Sequence, residues 1–224
     1  MRVGLISDAH ANVYGLHAAL DALKRQSPEW IIFAGDAVGY YPFVNQTIDL
    51  LRAEDITCIK GNHDAMLLGE IPVNAERRQQ YHLDETAAAI EAHHLDWLRA
   101  LPAHLQLEID GKTLAVYHGS PWEPLTGYIY PDHDDFPQFR SVEADFVVLG
   151  HTHWQMIHQV GGLKIVNPGS CGQPRDYQPG AAFALLDTGS GDVQLKRVRY
   201  DLRPIMEAVS DPALIDILTR TGEA

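Results

Sequence analysis

Carboxylate, amide and imidazole side chains recur directly after five apolar stretches of the sequence, which read GLIS, IIFAG, CIKG, LAVY and FVVLG. The residues that follow these stretches are Asp8 and His10, Asp36, Asn62 and His63, His118, and His151 and His153. Imidazole and carboxylate ligands together suit divalent transition metals such as Mn, Fe, Co, Ni and Zn, and neither a thiolate-rich nor an all-oxygen site is indicated. These residue types therefore point to metal chemistry.

The number of candidate ligands indicates more than one ion. A tetrahedral ion takes only about four ligands, and the candidates are Asp8, His10, Asp36, Asn62, His118, His151 and His153. Two ions are implied, because a carboxylate can bridge a pair about 3.5 to 4 Å apart that clamps a phosphoryl group and activates a water. A single DAH or GNH motif is more typical of a turn, but turns alone do not explain polar groups after five strands.

The elements that would position these residues alternate between strands and helices in the first third of the chain. RVGLIS, WIIFA and TCIK predict strands, and residues 14–25 and 45–54 predict the helices between them. This alternation indicates a parallel sheet, and the carboxyl ends of its strands would bring residues that are distant in sequence to one ligand crevice. Residues 65–101 are predicted to be largely helical, with three surface histidines, His82, His93 and His94.

The second half of the chain reads as short strands joined by turns. LQLEIDGKTLAVYH predicts a hairpin around Asp110-Gly111, and DFVVLG, LKIVN, AAFALLD and DVQLKRVRY predict further strands. No repeat, linker or low-complexity segment marks a boundary, so we expect a single domain over residues 1–224.

The charge of the chain limits its partners. The formal net charge of −13 argues against a broad contact with nucleic acid or an anionic membrane, because those partners need a basic face. Small substrates are favoured, and bound metal would supply the local positive charge that phosphate chemistry needs. No apolar run reaches the roughly 20 residues that span a bilayer. The opening residues MRVGLISDAH lack the apolar stretch of a signal peptide, so we expect a cytoplasmic protein.

A long predicted loop, residues 121–137, has no clear period and is favoured as functional because of its length. It contains no Lys or Arg but four acidic residues, Glu123, Asp132, Asp134 and Asp135. This composition disfavours long nucleic acid as a substrate. The aromatic residues of the loop would pack against an aromatic leaving group or serve only as loop anchors; they include Trp122, Tyr128 and Tyr130.

Five motifs in order, SDAH, GDAVG, GNHD, YHGS and GHTH, resemble the signature of the calcineurin-like metallophosphoesterases, in particular the small bacterial and archaeal phosphodiesterases. The resemblance extends from Met1 to about Arg199. It implies an α/β fold, a four-layer αββα sandwich of two mixed β-sheets flanked by helices, with a metal pair at its rim.

The resemblance also implies two sets of ligands that share a bridging Asp36: Asp8, His10 and His153 for one ion, and Asn62, His118 and His151 for the other. His63 is then left off the metals and faces the scissile phosphate, where it would stabilise developing charge or protonate the leaving oxygen. Asn62 suits a position beside the substrate, because its neutral carbonyl oxygen limits the negative charge that faces an anion.

Two departures from the family pattern lie near these ligands. Many members carry an aspartate at the end of GDxxD that orients the histidine of GNH, but this chain has Gly39 there, which leaves Asp64 or the substrate to orient His63. Ala11 stands where glycine is common and leaves both neighbouring ligands in place. The segment NPGSCGQPRD also resembles one near the site of small members, and its Arg175 would meet a phosphate oxygen or form a structural salt bridge.

The predicted function is that of a dinuclear metal-dependent phosphoesterase acting on small phosphodiesters or phosphomonoesters. A metal-bridging hydroxide near Asp36 would attack phosphorus while His63 assists the leaving group. We expect the two ions to be Mn, with Fe, Ni, Co or Zn as alternatives, and a homo-oligomer is compatible with the sequence. Two other functions stay open: a metal-bound interaction scaffold, as in a retromer subunit of this fold, and a nuclease for short oligonucleotides.

Overall fold

Two five-stranded mixed sheets lie at the centre of the molecule, in a computed structural model that describes residues 1–134 and 136–220. Asp135, one of the four acidic residues of the predicted loop, lies outside the described residues. The two sheets divide the chain as the sequence predicts, with the strands of the first third in one sheet and most of the later strands in the other.

The first sheet has the strand order β10-β9-β1-β2-β3. Its strands are β1 (Arg2–Ile6), β2 (Trp30–Phe33), β3 (Thr57–Cys58), β9 (Ala181–Asp187) and β10 (Val193–Val198). The three N-terminal strands run parallel, and β9 runs antiparallel to both β1 and β10. The carboxyl ends of β1, β2 and β3 therefore open at the same edge, as the crossover pattern predicts.

Eight α-helices accompany the sheets in the described residues: α1 (Val13–Lys24), α2 (Val44–Ala53), α3 (Asn62–Leu67), α4 (Ala75–Gln80), α5 (Leu83–Ala89), α6 (Ala92–Ala100), α7 (Arg203–Ala208) and α8 (Pro212–Thr219). Helix α1 begins where the Asn12 side chain accepts a hydrogen bond from the Gly15 N–H, which satisfies one of the free donors of its first turn. Its leucines at helical spacing pack against the first sheet and are buried, namely Leu16, Leu20 and Leu23.

The second sheet has the order β4-β5-β6-β8-β7. Its strands are β4 (His104–Ile109), β5 (Lys112–Tyr117), β6 (Phe146–Val148), β7 (Gln155–Val160) and β8 (Leu163–Pro168). The predicted hairpin β4–β5 is present, and both turn residues have the positive φ that a two-residue hairpin turn favours, 52° at Asp110 and 69° at Gly111. Strand β7 was not predicted from the sequence, because QMIHQV buries only its second and last residues.

Apolar side chains from both sheets form the core between them. Leu5 of β1 and Ile32 of β2 pack there with Leu114, Val116 and Val148 of the second sheet. The outer face of the first sheet carries helices, whereas a loop and a 3-10 helix (Phe136–Ser141) cover the outer face of the second. The predicted α/β fold of two mixed β-sheets flanked by helices is confirmed, but the fourth layer of the predicted αββα sandwich consists of a loop and a 3-10 helix.

None of the helices in the described part of the chain combines the length and the apolar character needed to cross a membrane.

Candidate metal centre

The residues that follow five strands meet at one edge of the two sheets. Asp8 and His10 follow β1, Asp36 follows β2, and Asn62 and His63 open α3 just beyond β3. His118 follows β5, while His151 and His153 follow β6. Backbone hydrogen bonds join these turns, from the His10 N–H to the Asp36 carbonyl (3.0 Å) and from the Gly150 N–H to the His118 carbonyl (2.9 Å). All eight side chains are buried.

The backbone at this edge adopts a conformation that most residues avoid. Five of the candidate ligands have a positive φ, between 50° and 67°, namely Asp8, His10, Asp36, His151 and His153. Asp and His tolerate this left-handed region better than most residues, but each such position still costs on the order of 1–3 kcal/mol. Strained backbone that the surrounding fold enforces at one cluster of polar side chains is typical of a functional site.

The first group of potential ligands consists of Asp8, His10 and His153. The Nε2 atoms of His10 and His153 lie 3.0 Å apart. The Asp8 Oδ1 atom lies 3.3 Å from the Nε2 atom of His153 and 3.9 Å from that of His10. Three donor atoms from β1 and β6 thus converge on one point.

The second group consists of Asp36, His118 and His151, and Asn62 lies against it with its Oδ1 atom 2.9 Å from the His118 Nε2 atom. The Nε2 atom of His151 is buried and has no hydrogen-bond partner among the described residues. Asp36 connects the two groups, because its Oδ2 atom lies 3.3 Å from the His118 Nε2 atom and 3.6 Å from the His10 Nε2 atom.

The hydrogen bonds of the imidazoles determine which ring nitrogen is free. The Nδ1 atoms of His10, His118 and His153 lie 3.1, 2.8 and 2.5 Å from backbone carbonyl oxygens that can only accept. Each Nδ1 therefore carries the proton and donates it, and in a neutral ring Nε2 is left as a lone pair. Metal-binding histidines are oriented in this way by their second nitrogen. This donor set fits divalent transition metals.

Burial and mutual charge set the protonation of the site. Burial lowers the pKa of His10 well below its ordinary value and lowers that of His151 to about 3, so both rings are neutral at pH 7. Burial also acts to lower the pKa of His118, but the carboxylates of Asp36 and Asp8 overcome it and raise the pKa to about 9. Burial acts to raise the pKa of Asp36, yet the neighbouring imidazoles hold it well below its ordinary value. The two carboxylates therefore attract positive charge to this point.

Asp64 supports the turn that carries Asp36. Its carboxylate accepts hydrogen bonds from the backbone N–H groups of Asp36, Ala37, Val38 and Gly61 at 2.9 to 3.1 Å. Burial raises the pKa of Asp64 to about 6, and the Asp36 charge adds to the increase. The suggestion that Asp64 orients His63 is not supported, because its oxygens bond to backbone donors and the Nδ1 atom of His63 has no hydrogen-bond partner.

His63 lies beside both groups of ligands and also forms, with His10 and Asp36, a third group of potential ligand atoms that overlaps them. Its backbone N–H donates to the Asp36 Oδ1 atom at 2.8 Å, and its ring lies 4.7 Å from that of His10, centroid to centroid. Burial lowers the pKa of His63 to about 4, against the opposing effect of the Asp36 charge. The imidazole is therefore neutral at pH 7.

Arg175 reaches the site from the loop before β9. Its Nη2 atom donates to the Tyr40 hydroxyl (2.9 Å) and to the Gln173 Oε1 atom (2.7 Å). In the described part of the chain its guanidinium forms no ion pair, so the structural salt bridge that was one of its two predicted roles is not observed there. Its positive charge contributes to the lowered pKa of both His63 and His153.

The three aromatic residues proposed for the loop differ in their surroundings. Trp122 packs edge-on against the buried Phe139 at 4.8 Å, as a loop anchor would, and keeps 43% of its surface exposed. Tyr128 lies 4.0 Å from the His151 ring and keeps 53% of its surface exposed. Tyr130 stacks parallel to Tyr128 at 6.0 Å. The structure therefore places only Tyr128 directly against a candidate ligand.

A further group of potential ligands, away from this edge, consists of Asp49, His93 and His94. His94 is fully buried, which contradicts its predicted place on the surface. Its ring nitrogens lie 2.9 Å from the Asn45 Oδ1 atom and 2.8 Å from the Asp49 Oδ1 atom. Both nitrogens are occupied, so His94 joins α6 to α2 instead of offering a free ligand atom.

The aromatic residues around His63 were not predicted from the sequence. The ring of Tyr81 lies 4.4 Å from the His63 ring, and that of Tyr40 lies 5.0 Å from it. Tyr40 follows the GDAVG motif directly, which offers a weak indication, but nothing in the sequence connects Tyr81 with the site.

Comparison with known proteins agrees with this geometry. Residues 1–191 match the calcineurin-like phosphoesterase superfamily domain. An uncharacterized protein of Methanocaldococcus jannaschii is 28% identical over 92% of this chain and 91% of its own. A phosphodiesterase of the same organism is 24% identical over 76% of this chain and 84% of its own. The crystal structure of a metallophosphoesterase from Sphaerobacter thermophilus covers 98% of both chains with a TM-score of 0.81 and 29% identity.

Proposed function

This chain belongs to the calcineurin-like phosphoesterase superfamily, and we propose that it is a dinuclear metal-dependent hydrolase of small phosphoesters. The observation that carries the proposal is the pair of buried ligand groups joined by Asp36. The neutral rings of His10 and His151 lie there beside the buried carboxylates of Asp8 and Asp36, which attract a cation.

The chain offers a set of ligands to each of two ions. Asp36 would be shared, Asp8, His10 and His153 would hold one ion, and Asn62, His118 and His151 would hold the other. When bound, the two ions supply Lewis acidity toward the phosphoryl oxygens and lower the pKa of a water nucleophile. We propose Mn as the metal, with Fe, Ni, Co and Zn as alternatives, because mixed imidazole and carboxylate sites accept all of these.

The protein's own groups would act on the phosphoryl group from two sides. The neutral imidazole of His63 can donate a hydrogen bond from Nε2 to the leaving oxygen or a phosphoryl oxygen, where negative charge develops. Its lowered pKa favours this role over that of a proton donor at pH 7. Arg175 would bind a phosphoryl oxygen through the donors that Tyr40 and Gln173 leave free. The neutral Asn62 amide adds no negative charge that would repel the substrate.

We propose a phosphodiester with an aromatic group as the preferred substrate. Tyr128 lies at the rim, half-exposed and 4.0 Å from the His151 ring, where a planar leaving group could stack on it. The M. jannaschii relative named a phosphodiesterase supports the choice of a diester. Long nucleic acid is disfavoured as a substrate because the net charge is −13 and the loop of residues 121–137 contains Glu123, Asp132 and Asp134 without any Lys or Arg.

The scaffold alternative is less well supported. A protein that used its metals only for structure would not need a neutral imidazole beside the ligands, and His63 occupies that position. Such a protein would also have no use for a guanidinium at the same edge without a carboxylate partner, as Arg175 has in the described residues.

A metal-reloading screen tests this proposal. Protein stripped with a chelator is reloaded with Mn, Fe, Ni, Co or Zn and assayed on aryl phosphodiesters, aryl phosphomonoesters and cyclic nucleotides. We expect turnover of at least one aryl diester with at least one metal and none in the stripped protein. Turnover that persists without metal, or binding of two ions with no turnover of any phosphoester, would contradict the proposal, and the second result would favour the scaffold.

A further inference from the structure

No side chain in the described part of the chain forms a hydrogen bond that would hold the imidazole of His63 in place. Its buried Nδ1 atom has no hydrogen-bond partner there, and the carboxylate of Asp64 is bonded to four backbone N–H groups. A ring that must present one nitrogen to a phosphoryl group needs a fixed orientation, because small misplacements reduce the rate strongly.

Gly39 explains why no side chain reaches this nitrogen from the neighbouring turn. Its φ is +92°, a conformation that residues with a Cβ atom rarely adopt. A Cβ atom built at Gly39 would lie only 2.7 Å from the Nδ1 atom of His63. The imidazole therefore occupies the space that the Cβ atom of an aspartate at position 39 would need. This position of the His63 ring and an aspartate at position 39 exclude each other.

Aromatic rings surround His63 instead. The Tyr81 ring lies 4.4 Å from the imidazole at an angle of 47°, and the Tyr40 ring lies 5.0 Å away at 35°. His10 closes a third side edge-on at 4.7 Å. The Tyr40 N–H donates to the Tyr81 carbonyl oxygen at 2.8 Å, so the two tyrosines are joined through the backbone.

The contacts of the ring also determine its tautomer. A buried N–H without an acceptor is rarer in proteins than an acceptor without a donor, so the unpartnered Nδ1 atom is the lone-pair nitrogen. The proton then resides on Nε2. The neighbouring rings therefore hold the imidazole, and one of its nitrogens lies within 4.8 Å of the potential ligand atoms of His10 and Asp36.

We infer that Tyr81 is a positioning residue for His63, and that its ring, together with that of Tyr40, replaces the carboxylate that Gly39 cannot supply. Tyr81 is the better residue for a test, because it is half-buried at the end of α4 and its hydroxyl forms no hydrogen bond in the described structure. Tyr40 also binds Arg175, so its substitution would disturb two groups. The inference rests on the proposed phosphoesterase function for its kinetic test only.

A double-mutant cycle separates positioning from general structural support. We expect Tyr81→Leu to reduce kcat roughly 10-fold with little change in KM, and more for poor leaving groups than for good ones. Tyr81→Phe should keep nearly full activity because it retains the ring. In a His63→Ala background the leucine substitution should have almost no further effect. Tyr14→Leu is the matched control, because Tyr14 is also half-buried and packs on an aromatic ring, that of Phe43, without contacting His63.

The outcomes distinguish this inference from the proposed function. If Tyr81→Leu keeps full activity, or lowers it equally with and without His63, Tyr81 does not act through His63. If His63→Ala itself keeps full activity, the catalytic role of His63 fails.

A measurement that needs no turnover gives an independent test. The nitrogen shifts of the His63 imidazole in zinc-loaded protein should report one Nε2–H tautomer with narrow lines, and Tyr81→Leu should broaden or average them. An unchanged spectrum in Tyr81→Leu, or an Nδ1–H tautomer in the parent protein, would contradict the inference even if no substrate is found.

Discussion

The Nε2 atoms of His10 and His153 lie 3.0 Å apart, and each presents a lone pair to the other. Each ring is held in this orientation by an Nδ1 proton donated to a backbone carbonyl oxygen, that of Val38 for His10 and that of Gln173 for His153. Two lone pairs at this separation repel, and a cation that both can bind removes the repulsion. The pair is therefore arranged for a shared cation and not for a hydrogen bond between the rings.

Metal removal should therefore destabilise the folded chain. We expect chelation to lower the midpoint of thermal unfolding, because an ion at 100 times its Kd contributes about 2.7 kcal/mol to folding stability. Elemental analysis of reloaded protein should give two ions per chain, and Asp36→Asn should lower the occupancy of both. Asp96→Asn, which changes an exposed carboxylate on α6, is the control. An analysis that never exceeds one ion per chain would refute the dinuclear site.

Substitution of His63 should affect turnover, whereas substitution of His151 should affect metal binding. We expect His63→Ala to retain both ions and to lose roughly 10²-fold in kcat, the usual contribution of a positioned donor in the transition state. His151→Ala should instead lose metal, because its Nε2 atom has no partner other than the ion proposed for it. Metal content and kcat are measured on the same preparations. Loss of metal in His63→Ala would place that residue among the ligands.

Tyr128 should affect aromatic substrates selectively. We expect Tyr128→Ala to raise KM several-fold for an aryl phosphodiester but not for a dialkyl phosphodiester, because stacking on one ring contributes on the order of 1 kcal/mol. Tyr128→Phe should behave like the parent. Long DNA and RNA should remain largely intact under the same conditions. Equal changes for aryl and alkyl substrates would show that Tyr128 is only a loop residue, and efficient digestion of a polynucleotide would favour the nuclease alternative.

Gly39→Ala should reduce stability and activity more than the same substitution at Gly69, another glycine with a positive φ. Both Gly39 and Gly69 have a positive φ, but a Cβ atom at Gly69 meets no atom within 4 Å, whereas one at Gly39 lies 2.7 Å from the His63 ring. Gly69→Ala should therefore cost only the strain of the left-handed conformation, roughly 1 kcal/mol. Gly39→Ala should cost more free energy of unfolding and also lower kcat. Equal stability and activity of the two variants would refute the close approach of Gly39 to His63.

The positions of the candidate ligands at the strand ends could be predicted from the sequence because they depend on local pattern. Asp8, Asp36 and Asn62 each follow an apolar run that is covered on both faces, and parallel strands end at a common edge whatever their exact register. The hairpin at Asp110-Gly111 was predictable for a similar reason, since its two turn residues determine the turn. These features depend only on residues that are close together in the sequence.

Other features depend on contacts between residues that are distant in the sequence and meet only in the folded chain. His94 belongs to a polar stretch of α6, yet it is buried because Asn45 and Asp49 of α2 bond to both of its ring nitrogens. The contact between Tyr81 and His63 depends likewise on how the segment ending α4 packs over α3. The candidate metal ligands and the strands that they follow could be identified from residue type and periodicity, which are local properties of the sequence. The aromatic contacts of His63, in place of a carboxylate, could not be predicted in this way, because they depend on the missing Cβ atom at Gly39 and on the packing of a residue 42 positions further along the chain.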